Sequence, residues 1–273
     1  MKDGDPERNG AGYPIDFMGH QRYDTRVSAA CTLARQRKHV TAIALHDIAH
    51  RFGRRWALRG VTVSVAPGEL LAIVGHNGSG KSTLLRVAAT AIRPTRGHGT
   101  VLGIDLVKEA SRVRSVVALL STDPGVYGDL TALENLRFAA DMLGSAGDAP
   151  TLQRALDRVG LGREGNERAR NMSSGMQRRL SIARLLLRAP RVLLLDEPYN
   201  SLDSQGVELV NELVEETIAR GGAVLLVAHD LSRAKGLPDR VVEMHDGALT
   251  EETQALAMHT DALANASTVG AGA

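Results

Sequence analysis

Five short apolar runs punctuate this chain: Leu70–Val74, Val116–Leu120, Val192–Leu195, Ala223–Ala228 and Val241–Met244. Continuous apolar runs of this length mark strands buried on both faces. Helical stretches separate several of them, which predicts a parallel sheet wrapped by helices. A different pattern precedes and interrupts the set. Ile43 and Leu45, then Val61, Val63 and Val65, alternate with polar residues, and His98 to Val107 is a strand-like stretch rich in Gly and Val. These pieces predict a small antiparallel sheet beside the main one. Pro67-Gly68 reads as a turn between the two patterns. Between Asp123 and Ala189 the pattern is mostly helical, with Leu130–Leu143 and Leu152–Val159 as candidate helices. The expected fold is therefore α/β, with a helical insertion over about residues 123–190.

The ends of the chain read differently. Residues 1–40 are polar with no sustained period and are expected to form a flexible extension. Their basic cluster, Arg35, Arg37 and Lys38, reads as a solvated charge run. Residues 252–273 form a small, polar tail with a short helix expected around Leu256–Leu263. One ordered domain is expected over 41–251.

Composition narrows the possibilities modestly. Of 273 residues 43% are apolar but only 3% aromatic, so the core must be built from Leu, Val, Ile and Ala. A net charge of +2 does not point to nucleic acid as a partner. No run approaches the roughly 18 apolar residues that span a bilayer. Cys31 is the only cysteine, so no intrachain disulfide can form, which fits a reducing compartment.

The chemistry begins at Gly75-His76-Asn77-Gly78-Ser79-Gly80-Lys81-Ser82-Thr83. Two glycines flank four residues, followed by Lys and Ser, and the run sits between an apolar strand and a helix carrying Leu84, Leu85, Val87 and Ala88. That is the phosphate-loop pattern in its required context. Glycines let backbone N–H groups curl around phosphates, and the helix presents its positive end to the same anion. Lys81 should reach the β- and γ-phosphates, and Ser82 should ligate Mg²⁺. Further on, Val192 to Leu195 delivers Asp196 and Glu197 to the C-terminal end of a buried strand, where α/β sheets bind ligands. Asp196 should hold the metal with Ser82, and Glu197 should polarise the attacking water. His229 follows another buried strand toward the same crevice. Asn171-Met172-Ser173-Ser174-Gly175-Met176-Gln177 opens a helix, and its serines fit either simple N-caps or an anion site.

Taken together these segments resemble the ATP-binding cassette ATPases, the motor subunits of ABC transporters. The resemblance spans about residues 41–250. Gly75–Thr83 is similar to the family's Walker A loop, and Val192–Glu197 to Walker B with its catalytic glutamate. Met172-Ser173-Ser174-Gly175-Met176 aligns with the family signature, usually Leu-Ser-Gly-Gly-Gln, keeping the serine and second glycine. Ser201-Leu202-Asp203 resembles the D-loop, His229 the switch histidine, and Phe52 the aromatic that stacks on adenine. The resemblance implies a head-to-tail dimer, or pairing with another ATPase subunit, around two ATP molecules. The phosphate loop of one copy would face Ser173 and Gly175 of the other. It also implies an integral membrane permease as partner and a peripheral location on the cytoplasmic face of the inner membrane. One departure stands out: the glutamine usual between the core sheet and the helical region is missing from Leu120-Ser121-Thr122-Asp123-Pro124-Gly125. Thr122 aligns with it. Asp123 is a hard oxygen donor that fits a Mg²⁺ ligand and equally fits a cap on the following turn. Pro124 to Tyr127, Leu130 to Leu136 and Asp196 to Tyr199 resemble bacterial export subunits, most of all those of haem export in cytochrome c maturation. Drug and sodium exporters follow closely.

Overall fold

The computed structural model describes residues 41–144, 147–187, 189–234, 238–250 and 253–254. The expectations for residues 1–40, including Cys31 and the basic cluster, and for the helix at Leu256–Leu263 lie outside the described residues.

The main sheet runs β10-β9-β3-β8-β7-β6, and a short strand β11 also pairs with β9. Its parallel core is β3 (Leu70–Val74), β6 (Val117–Leu120), β7 (Val192–Asp196), β8 (Ala223–Val227) and β9 (Arg240–His245). The apolar runs thus become neighbouring parallel strands, with β10 (Ala248–Leu249) and β11 (Thr253–Gln254) as antiparallel edges. Side chains alternate across a strand, so each run serves two cores. Leu193 and Leu195 of β7 pack into one cluster with the helical insertion, while Val192 and Leu194 pack into the other, which holds the antiparallel sheet. Each fully buried Leu contributes about 1.5–3 kcal/mol of hydrophobic stabilisation.

The second sheet is β2-β1-β4-β5, formed by β1 (Ile43–Phe52), β2 (Arg55–Val65), β4 (Arg96–Val101) and β5 (Ile104–Asp105), all antiparallel. The stretch His98 to Val107 is a hairpin rather than one strand, because Leu102 and Gly103 both take positive φ (52° and 78°). Two such residues make the tight turn whose twist matches its flanking strands. β1 carries register shifts after Leu45, where Asp47 also has φ 51°, so its alternation breaks midway.

Six helices complete the described chain: α1 (Lys81–Ala88), α2 (Ala110–Val116), α3 (Ala132–Met142), α4 (Ala149–Arg158), α5 (Ser174–Leu186) and α6 (Ser204–Ala219). Thr131 and Glu134 form a reciprocal capping box that starts α3. Buried Asn135 ties α3 to the segment before it: its side chain donates to Tyr127 O (3.0 Å) and Thr131 O (2.9 Å) and accepts from Tyr127 N (2.8 Å). A 3₁₀ turn, Ala169–Asn171, leads into α5. None of the described helices is long and apolar enough to cross a membrane.

Candidate active site

The loop after β3 is shaped by its glycines. Gly75 has φ 147°, and a Cβ there would sit 2.3 Å from Met244 O; Gly80 has φ 112°, and its Cβ would meet Ala57 O at 2.5 Å. Only glycine fits either position. Gly80 is also the residue before α1, and no side chain caps that helix. The first-turn N–H groups of α1 are thus left for an anion.

Lys81 opens α1 and is nearly buried. Its Nζ donates to Gly75 O (2.6 Å) and His76 O (3.0 Å), which holds the ammonium across the mouth of its own loop. Burial pulls its pKa down, and the nearby carboxylates of Glu197 and Asp196 oppose that shift. Ser82 donates from Oγ to Asp196 Oδ1 at 2.9 Å. Asp196 is itself buried at the end of β7. A hydroxyl and a carboxylate meeting beside a helix N-terminus are hard oxygen donors, a set that fits Mg²⁺.

Glu197 follows with φ 47°, a strained conformation for a residue other than glycine. Its N–H donates to Val227 O (2.9 Å), which fastens the bend to β8. Beyond β8, His229 Nδ1 lies 2.9 Å from Glu197 Oε2. A carboxylate accepts, so Nδ1 donates, and Nε2 is left to face a ligand.

A cleft of about 620 Å³ unites most of these groups. Asn77, Gly78, Gly80, Lys81, Ser82, Thr83, Glu197 and His229 line it, and Phe52 stands at its rim, half exposed. The cleft also gains Arg55, Trp56 and Asn200, which the sequence does not single out, and Thr122, the residue aligned with the family's glutamine. Trp56 sits under two cations, with the Arg51 and Arg96 guanidinium carbons 5.9 and 5.3 Å from its ring centroid. Being the only tryptophan, beside Phe52 in a hairpin, was the available signal. Gly75, His76 and Ser79 build the loop without lining the cleft. Ser79 is buried, and the His76 ring turns toward Asp246.

Asp123 is not brought to this cleft. Its Oδ1 accepts from Gly125 N at 2.9 Å, and its carbonyl accepts from Ser121 Oγ at 2.6 Å, so the side chain caps its turn. Thr122 occupies the cleft wall instead. The shape of this loop explains why: α5 grips it from behind. Arg178 donates to Ser121 O, Ser181 to Pro124 O (2.6 Å), and Arg184 to Gly125 O. The same Arg178, almost fully buried, also donates to Asp196 O (3.1 Å) and Glu197 O (3.0 Å). Burial pushes its pKa down, against the attraction of Asp196. One guanidinium therefore locks the loop at Ser121 to both acidic residues. Its signal was helical spacing: Arg178, Ser181, Ile182 and Leu185 share one face, and that face is buried.

Ser173 and Gly175 lie elsewhere. With Arg179, Ser201 and Asp203 they line a separate depression of about 380 Å³. Ser173 caps α5 by accepting from Met176 N (3.2 Å), and a Cβ on Gly175 would come within 3.0 Å of Ser201 O. Arg179 donates to both carboxylate oxygens of Asp203 (2.6 and 2.8 Å). That pairing, with a further hydrogen bond from Gly206 N, holds the Asp203 carboxyl below the usual range.

Residues 58–200 match the family model "ABC transporter". The chain is 38% identical over 197 residues to the cytochrome c biogenesis ATP-binding export protein CcmA 2 of Cupriavidus metallidurans, covering 70% of this chain and 90% of that protein. It is 35% identical over 214 residues to the daunorubicin resistance ATP-binding protein DrrA3 of Streptomyces coeruleorubidus, covering 78% and 68%. The aliphatic sulfonates import ATP-binding protein SsuB of Pseudomonas entomophila is 36% identical over 209 residues, covering 76% and 74%. Among solved structures, the dimeric post-hydrolysis state of the ATP-binding cassette MJ0796, bound to ADP and Pi, superposes with a TM-score of 0.69 at 27% identity, covering 78% of this chain and 98% of that one.

Proposed function

The chain belongs to the ABC transporter family as an ATP-binding cassette, and we propose that its ATP hydrolysis powers a membrane exporter whose cargo is haem destined for cytochrome c maturation. The observation that carries the hydrolytic part is the His229–Glu197 contact of 2.9 Å at the cleft that also holds Lys81 and Ser82. A base, a cation for the phosphates and a metal-binding pair meet in one crevice. The cargo reading rests on the export protein that heads the relatives above and on the segments around Pro124, Leu130 and Asp196.

ATP seats its adenine against Phe52 and Trp56 and its phosphates on the Gly75–Thr83 loop. Lys81 swings from its carbonyl partners to the β- and γ-phosphates. Ser82 and Asp196 would hold Mg²⁺, which when bound supplies neutralising charge at those phosphates. Glu197 takes a proton from the attacking water, and His229 orients Glu197 through its Nδ1–H. Thr122 contributes a hydroxyl where the family usually carries glutamine. The second copy closes the site with Ser173 and the N-terminus of α5, in a two-fold arrangement.

The permease meets the opposite side of the Ser121–Gly125 loop. A groove of about 410 Å³ there is lined by Tyr127, Phe138, Met142 and Leu143, all exposed apolar residues. A cytoplasmic loop of the membrane subunit is the occupant we assign, because Arg178 connects the groove's Ser121 edge to Asp196 and Glu197. A strain lacking this protein tests the cargo. Loss of covalent haem from its c-type cytochromes is the expected result, and normal cytochromes contradict it. Drug hypersensitivity with normal cytochromes supports the second reading, a drug exporter, which the daunorubicin-resistance relative favours.

A further inference from the structure

Three side chains outside the cleft converge on the outer face of the phosphate loop. His76 belongs to that loop, and His245 and Asp246 sit where β9 turns into β10. Their ligand atoms all lie within 4.8 Å of one another. His76 Nε2 is 4.0 Å from Asp246 Oδ1, and His245 Nδ1 is 3.8 Å from Asp246 Oδ2.

The surroundings prepare these groups. His76 Nδ1 lies 2.9 Å from Asn77 O. A carbonyl only accepts, so Nδ1 carries the proton and Nε2 presents its lone pair toward Asp246. An imidazole oriented by a backbone carbonyl in this way is the usual state of a metal-ligating histidine. The turn is fixed as well. Asp246 and Gly247 both have positive φ (45° and 83°), the tight hairpin turn that Asp-Gly favours. Gly247 N donates to Ser79 O (2.8 Å) and Gly247 O accepts from Arg59 N (2.7 Å), which pins the turn to the phosphate loop and to β2. The side chains themselves are exposed, and coordination needs their ligand atoms to close by an ångström or so, since ligands of a tetrahedral ion with bonds of about 2.0–2.1 Å stand roughly 3.3 Å apart.

We propose that His76 Nε2, His245 Nδ1 and the Asp246 carboxylate form a site for one borderline divalent transition cation, such as Zn²⁺, Co²⁺ or Ni²⁺. Two imidazoles and one carboxylate select these ions over Mg²⁺, which prefers an all-oxygen shell. Bound metal staples the phosphate loop to the β9–β10 turn. The staple reaches the nucleotide site through His76 itself, whose carbonyl accepts from Lys81 Nζ.

The test is Co²⁺ and Zn²⁺ binding to the full chain, compared with His245→Ala and Asp246→Asn. Asn tolerates the positive φ of position 246, so that variant keeps the turn and loses only the charged ligand. Wild type should take up one more equivalent of Zn²⁺ than His245→Ala. It should also show a visible Co²⁺ absorption band, displaced by Zn²⁺, that His245→Ala lacks. Asp246→Asn should bind at least tenfold more weakly. The difference cancels binding by other histidines and by Cys31. Thermal melts of the three proteins in chelator should coincide, which separates loss of ligand from loss of fold. Equal stoichiometry and affinity in all three proteins would overturn the proposal.

Discussion

The chain carries two ligand surfaces that differ in kind. At the cleft, every reactive group is already paired within the chain: Lys81 with two loop carbonyls, Ser82 with Asp196, Glu197 with His229. At the depression around Ser173 and Gly175, the polar groups serve local structure. Ser173 caps a helix, and Arg179 holds Asp203. The first surface has acid–base chemistry and a metal pair but stands open. The second offers a helix start and small residues that let a backbone approach, and its Asp203 carboxylate is taken up by Arg179. In the proposed function neither is a catalytic site alone, and one of each, from two copies, makes a closed one. Arg178 is what binds the two surfaces into one mechanical unit. It sits on the helix that starts at the second surface and holds the backbone of Asp196 and Glu197 in the first.

The sharpest break in this comparison is at Glu197. Glu197→Gln removes the base and keeps the shape, so ATP turnover should fall by roughly 10²–10⁴-fold while ATP still binds. Single-turnover hydrolysis measures this directly. Next is Lys81→Ala. Losing a charge-assisted contact to phosphate should weaken ATP binding by roughly a hundredfold, about 2.7 kcal/mol, read by titration with a fluorescent ATP analogue. Arg178→Met comes third and addresses the link between surfaces. It strands the carbonyls of Ser121, Asp196 and Glu197, and breaking such a buried charged network costs about 3 kcal/mol. The melting temperature should drop by several degrees, and turnover should fall with ATP affinity little changed. Unchanged turnover would separate the two surfaces after all.

The smallest effect concerns Asp203. Its carboxyl is held below the usual range in the folded chain, chiefly by Arg179. A depressed folded value means the contribution is fully present above the unfolded pKa and is lost as pH falls through the folded one. From neutral pH down to the ordinary carboxylate range this contribution should therefore be constant, with wild type slightly more stable than Asp203→Asn. Only more acidic melts should converge for wild type and Asp203→Asn.

The loop after β3 was legible in the sequence because the phosphate-loop pattern fixes its spacing. Gly75, Gly78, Gly80 and Lys81 cannot be moved along the chain without losing the loop, and Asp196 and Glu197 are marked by the apolar strand before them. The antiparallel sheet was legible only in part, since the bulge near Asp47 breaks alternation in β1 and Leu102-Gly103 folds one apparent strand into two. Position 123 was ambiguous by composition, because an aspartate suits a metal and a turn alike; its hydrogen bond to Gly125 N assigns it to the turn. Arg178 is hard to read from sequence because arginines on helices usually face water. Helical spacing marks its face as buried, but its partners are three carbonyls brought together from β6, β7 and their following bends.

The size of Glu197→Gln in MgATP, measured beside wild-type hydrolysis, tests the pairing of the two surfaces most directly. Turnover is expected in the wild type and an ATP-dependent dimer in the variant, dispersed when Ser173 is replaced by a bulky residue. A variant that saturates with ATP and remains a monomer would contradict the claim that the two surfaces complete one another.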